Sequence, residues 1–318
     1  MKKFIWKKRF SLPEVIGLIG TAVICVSVVS YAVTVPHTFV ADTVISATEV
    51  NENFQALVNA VTTLESQVAT IQANNALLLD PYLTISSATI NGLAGPHVIL
   101  HDANLHIQSG SGATDAAVNG LGNLLVGYNE APISPSRGGS HNLIVGPQHN
   151  YPSYGGFMAG RYNTVSGIYS SVSGGEGNTA SGGVSSVSGG YINNASSGWS
   201  SISGGADNTA SGDYSSVSGG FGNGANAPLS SISGGYENAA SGYAASVSGG
   251  FENTASNWYS SISGGRDNTA DGGYSVVGGG WSNTASGMYS SVSGGYNHSM
   301  TYDYGWMACG SYSCSDTY

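Results

Sequence analysis

The apolar positions of this chain fall into three successive patterns. From Val15 to Val35 they form a run without charge, headed by the basic stretch from Met1 to Arg9. That layout predicts export, either through a secretory signal with Ser30-Tyr31-Ala32 as a small-x-small cleavage site or through an uncleaved anchor. From Ala47 to Leu79 the apolar residues are Val50, Phe54, Leu57, Val61, Leu64, Val68, Ile71 and Leu78, with Asn75 in the one gap. Their steps of four and three are the a/d repeat of a coiled coil, and Asn75 falls at an a position, where a buried amide fixes register and oligomer state. One amphipathic helix lying on a larger domain is the alternative. Ser46 or Thr48 can cap the helix, and Asp80-Pro81 ends it.

The third pattern is a repeat. Ser-Ser-Val/Ile-Ser-Gly-Gly-x-x-Asn-Thr-Ala-Ser-Gly returns with a shift of 15. Its apolar column is Val172, Val187, Ile202, Val217, Ile232, Val247, Ile262, Val277 and Val292. A Gly column follows three residues later, from Gly160 to Gly310. Three further on stand Asn163, Asn178, Asn193, Asn208, Asn223, Asn238, Asn253, Asn268 and Asn283, with His298 ending the run. An Ala column from Ala180 to Ala285 lies two beyond. Earlier versions of the unit are Leu124-Leu125-Val126-Gly127, Leu143-Ile144-Val145-Gly146 and Phe157-Met158-Ala159-Gly160, with Pro132 to Arg137 as an inserted loop.

Fifteen residues are too few for a helical hairpin, and a Gly-Gly pair in every unit opposes helix. The period suits one coil of a β-solenoid, two short strands joined by tight corners. Val and Ile would point inward and stack, Gly would make the corner, and Asn would form an amide ladder. The fold class expected is mainly β, a β-solenoid or β-roll of ~15-residue coils preceded by a trimeric coiled-coil helix. The organisation that follows is a signal peptide or anchor over residues 1–32, a linker over 33–46 and a coiled-coil stalk over 47–80. A β-rich neck over 81–120, solenoid repeats over 121–310 and a cap over 311–318 complete it.

Composition narrows the function. Charged residues are 8% of the chain, where about 25% is usual, and Gly is 48 of 318, about twice its usual share. Five of the eight basic residues lie in the leader; beyond residue 32, three basic residues face seventeen acidic ones, a net of −14. Nucleic-acid binding is excluded on that ground, because it relies on clustered Lys and Arg. Disorder is a poor reading for a chain with 19 Tyr and 5 Trp. No Gly-x-Ser-x-Gly, His-Glu-x-x-His or P-loop occurs, so no enzyme, cofactor or resident metal is expected.

The columns Val172, Gly174-Gly175, Asn178, Ala180 and Gly182 resemble the head repeats of YadA-type trimeric autotransporter adhesins, over roughly residues 120 to 310. The resemblance implies trimers of left-handed parallel β-rolls. In this chain the family's second apolar residue survives at Val126 and Val145 and is expected to be replaced by Gly174 and its later equivalents. The stalk precedes the head, and no segment like the family's translocating β-barrel follows it, so the likeness is to the head alone. A second, shorter likeness sits in the leader: Phe10 to Val15 resembles the start of a type IV pilin, with Arg9 where that family has Gly.

Candidate sites follow the columns. Tyr169, Trp199, Tyr214, Tyr259, Tyr274, Tyr289 and Tyr304 form one aromatic row; Tyr191, Phe221, Tyr236, Phe251, Trp281 and Tyr296 form another, the candidate surface-binding row. Such rows can stack on sugars or pack between protomers. Asp207, Glu237, Glu252 and Asp267 share a column, but calcium repeats have a nine-residue period, so solvated charge is the better account. His97 and His101 face one side of an extended stretch and His106 the other, which opposes a one-chain metal site. Cys309 and Cys314 are disulfide candidates, within one chain or between chains. The expected function is an exported, cell-surface or secreted trimeric adhesin-like structural protein whose solenoid attaches to a surface, glycan or matrix protein. Membrane contact is expected only through the N-terminal segment, where that segment stays uncleaved. A self-assembling extracellular filament subunit is the alternative, and ice binding by Ser and Thr arrays a third.

Overall fold

The computed structural model describes residues 34, 36–40, 44, 46–73 and 81–308, in two compact units that divide after Leu105. The leader, Asn75, Leu78, Cys309, Gly310 and Cys314 lie outside the described residues.

The first unit contains helix α1, Ala47–Gln72. Ser46 starts it: the Glu49 N–H donates to Ser46 Oγ at 3.2 Å, and the Ser46 N–H donates to the Glu49 carboxylate at 3.0 Å. This reciprocal capping box satisfies two donors that a helix start otherwise leaves open. Hydrogen bonding to the Ser46 backbone, then to its hydroxyl, holds the Glu49 carboxyl below its ordinary pKa. Before the helix, the chain is tied back to it by Asn53, which accepts from the His37 N–H and donates to the His37 carbonyl. Strands β1 (Leu83–Ser86) and β2 (His97–Leu100) follow as an antiparallel pair, with Ser86 opposite His97.

The second unit is a parallel β-solenoid. One sheet has 13 strands, beginning with β3 (Leu124–Val126), β4 (Leu143–Val145), β5 (Phe157–Ala159) and β7 (Ser171–Val172). The other has 10, beginning with β6 (Thr164–Val165) and β8 (Thr179–Ala180). From β7 the chain alternates between them up to β25 (Trp306–Met307). Each strand pairs in parallel with its copy one coil on, as Val187 does with Ile202 and Ala195 with Ala210.

A strand of two residues has one side chain for each face. Ser171 and Thr179 point outward, whereas Val172 and Ala180 point inward and are fully buried. The entire Val/Ile column and the Ala column are buried in one continuous core. Little apolar surface lies in any single coil, so stability comes from the stack, as in other solenoids.

The step from a 14-residue to a 15-residue coil has a defined place. Met158 pairs with Val172, 14 residues on, yet Arg161 bridges to Glu176, 15 residues on. One residue has therefore entered between them. Asn163 Nδ2 donates to the Ala159 carbonyl and Asn178 Nδ2 to the Gly174 carbonyl, so Gly174 stands at the corner where Ala159 stands, and Ser173 is the extra residue between strand and corner.

The corners are not all glycine. Gly175 and its copies have φ between 79° and 106°, and a Cβ at Gly220 would overlap the Gly235 carbonyl oxygen. Two other corner columns use the same left-handed region without glycine: Ile192, Asp207, Glu237 and Glu252 in one, Tyr169, Trp199, Tyr214 and Tyr274 in the other, with φ from 50° to 61°. Each such residue costs about 1–2 kcal/mol relative to glycine, so its side chain must return something.

Candidate functional site

The buried polar line inside the solenoid is the Asn column. Asn193 Oδ1 accepts the Asn208 N–H at 3.0 Å, and Asn193 Nδ2 donates to the carbonyls of Gly189 and Gly205, both at 3.0 Å. The pattern recurs from Asn163 to Asn283, so each amide holds its own corner closed and fastens it to the next coil. These amides are buried, and every one is satisfied, which is the condition for a polar line in a core.

Histidines stand at the two ends of this line. At the start, His149 Nδ1 accepts the Asn163 N–H at 3.2 Å and Nε2 donates to the Val145 carbonyl at 3.2 Å. The imidazole thus reproduces the acceptor and donor of an Asn side chain. Burial, foremost, pushes its pKa below the ordinary histidine value, and nearby Arg137 acts in the same direction. Its signal in the sequence is position: His149 is three residues after Gly146, as Asn163 is after Gly160. At the other end the His298 N–H donates to Asn283 Oδ1.

The aromatic rows stack within the chain. Tyr259, Tyr274, Tyr289 and Tyr304 are face to face, with centroids 4.8–5.1 Å apart and planes within 13°. Trp199 lies on Tyr214 at 4.9 Å. In the second row Phe221, Tyr236 and Phe251 stack likewise, and Arg266 then sits over Phe251 at 5.0 Å and over Trp281 at 5.5 Å. Tyr296 meets Trp281 edge-on, and Tyr191 forms a β-bridge with Ala206, whose side chain offers no ring. The stacking spacing equals the strand spacing of about 4.8 Å, which explains why an aromatic repays its left-handed corner. Tyr274 and Tyr289 have a ring on each face.

In the acidic column one pair of carboxyls, Glu252 and Asp267, shares a hydrogen bond. The Glu252 carboxyl is raised, first by its hydrogen bond with Asp267. At Asp267 partial loss of water acts to raise the pKa, but hydrogen bonds with Glu252, Trp281 and Arg266 prevail and lower it. The Trp281 indole N–H reaches Asp267 at 3.1 Å, as does Arg266 Nε. Asp207 and Glu237 occupy the same corner in earlier coils.

His97 opens β2 and His101 follows its last residue, with separate partners, the Leu93 carbonyl and the Thr84 hydroxyl. His106 belongs to the other unit. Among the described residues no three His, Cys, Asp or Glu side chains converge on a point, and no helix is long and apolar enough to cross a membrane.

The seam of α1 is open. No residue of the helix is buried; Phe54, Leu57, Val61, Leu64 and Val68 are exposed, and Val50 and Ile71 are half-buried. Phe39 lies beside Val50, Phe54 and Leu57 and covers a part of the seam's first turns. At the start of the solenoid, all three residues of β3 are exposed as well. No protein-family model matches this chain, and no curated protein matches its sequence.

Proposed function

We propose that this is an exported, cell-surface or secreted structural protein of adhesin type, in which three copies join through α1 and present β-solenoid heads to a surface, a glycan or a matrix protein. The observation that carries the reading is the seam of α1. A helix of 26 residues without one buried side chain, yet with apolar residues at every a and d position from Val50 to Ile71, gains its stability from other helices. Copies of the same chain supply the matching seam. The head repeats resemble those of YadA-type adhesins, and the same resemblance favours three copies. Outward Ser residues and the open Gly189, Gly204 and Gly219, where a Cβ would touch nothing in the chain, leave a flat face that another surface can approach closely.

Native mass spectrometry of the protein recovered from the exporting cell tests this. Three copies are expected, each lacking the residues before Val33, and Leu64→Asp is expected to lower the subunit count while the solenoid stays folded. A monodisperse monomer of the unsubstituted protein overturns the reading. The exposed first strand β3 favours a second one, a filament in which solenoids stack end to end, and micrographs showing assembly without any ligand would select it.

A further inference from the structure

A sugar ring binds to an aromatic side chain through the open face of that ring, and the ladders of this solenoid leave few faces open. Tyr274 has Tyr259 on one side and Tyr289 on the other. Trp258 is different. It is 65% exposed, the most exposed tryptophan of the described residues, and no aromatic ring stacks on it. The cause lies one coil on, where its column holds Gly273. Adjacent coils are joined there by the Tyr274 N–H to the Trp258 carbonyl and the Tyr289 N–H to the Gly273 carbonyl. Trp258, Gly273 and Met288 are therefore consecutive members of one column. Two coil steps place the backbones of Trp258 and Met288 about 9.6 Å apart. After the thickness of the two side chains, the gap is about one ring wide.

This gap is the middle of a groove of about 360 Å³, within the range of small-ligand sites. Its walls are fixed. Asn257 accepts the Trp258 N–H at 2.8 Å and donates to the Asp271 carbonyl at 2.7 Å, and Asp303 accepts the Met288 N–H at 2.7 Å. Asp271, which stands where Ser256 and Ser286 stand in the neighbouring coils, lines the groove. We infer that the Gly273 notch is a binding site for a neutral pyranose of a glycan, with Trp258 as the platform and Asp271 as the acceptor for ring hydroxyls. Asp271 and Asp303 line it with no cation, so sialic and uronic acids are repelled.

The inference rests on the adhesin reading and names its ligand class. The test is binding of the full chain to immobilised neutral oligosaccharides ending in glucose, galactose or mannose, beside sialylated and uronate-containing ones. Neutral glycans are expected to be retained. Trp258→Ala is expected to weaken retention at least tenfold, and Gly273→Tyr, which restores the aromatic column and meets only Met288 at 3.9 Å, to do the same. Asp271→Ser, the residue of neighbouring coils, is expected to weaken neutral binding and to relax the exclusion of acidic sugars. Retention undiminished in Gly273→Tyr, with an unchanged circular dichroism spectrum, places binding elsewhere and overturns the site. Loss of all glycan binding in the unsubstituted protein also overturns it, while adhesion to protein-coated surfaces in that same preparation leaves the adhesin reading standing.

Discussion

Helix α1 and the solenoid are both built from a strict repeat, but they settle their needs in opposite ways. Each solenoid coil finds its partners in the coils beside it: strand to strand, Asn to Asn, ring to ring. The helix satisfies its backbone within itself and leaves its apolar seam without a partner. A 15-residue period makes a molecule that is complete in one chain, whereas a heptad makes one that is complete only in several. On the proposed reading, association falls to the short segment, while the long one satisfies its own strands and amides.

The sharpest way to break that division is to cut the line of amides. Asn223 Oδ1 accepts the Asn238 N–H at 3.0 Å, and its Nδ2 donates to Gly219 at 2.9 Å and Gly235 at 3.0 Å. Asn223→Ala leaves a buried N–H without an acceptor, and a loss of about 2–4 kcal/mol is expected from urea unfolding of the solenoid. The subunit count should not change; if it did, the two regions would not be independent.

A smaller effect is expected at the aromatic corner. Tyr274→Ala removes two stacked neighbours and keeps the left-handed backbone at φ 61°, for an expected loss of about 1–2 kcal/mol. Tyr274→Gly loses the same stacking but relieves about 1 kcal/mol of strain, so it should be the milder substitution. An equal loss in both variants would show that the corner is unstrained.

The smallest effect is that of pH on the first amide position. The pKa of His149 is lowered in the folded state, mainly by burial, so the unfolded chain binds the extra proton first. Its contribution is complete above the ordinary imidazole pKa of about 6.5 and is lost as pH falls through the lower folded value. His149→Asn, which keeps the acceptor and donor, should flatten this part of the pH profile between pH 7 and 5. A slope identical to that of the unsubstituted protein would assign the dependence to other groups.

Much of the solenoid could be read from the chain. Val172 and its copies announce the inward face, Gly175 the corner and Asn178 the ladder, because each of these residue types is demanded by one position of a coil. The capping of α1 by Ser46 followed from the same kind of signal. Two things did not follow. His149 was passed over because an imidazole does not look like an amide until its two nitrogens are seen at the places of Oδ1 and Nδ2. The stacking of the rings on each other was hidden by their exposure to solvent in a sequence that gives no φ. Trp258 and Gly273 belong to a column that holds no consensus, and only the groove singles them out.

The register of the coils carries a consequence for length. The strand pairs and the Asn bonds of the repeat lie within one coil or join it to the next and recur every 15 positions, so removing or duplicating one whole unit lets the strand pairs and the Asn ladder re-form across the junction. Recombination between near-identical repeats would therefore yield proteins that still fold, differing in reach by increments of about 4.8 Å. The molecule is graduated like a ruler, and its length is the property that inheritance can alter most cheaply.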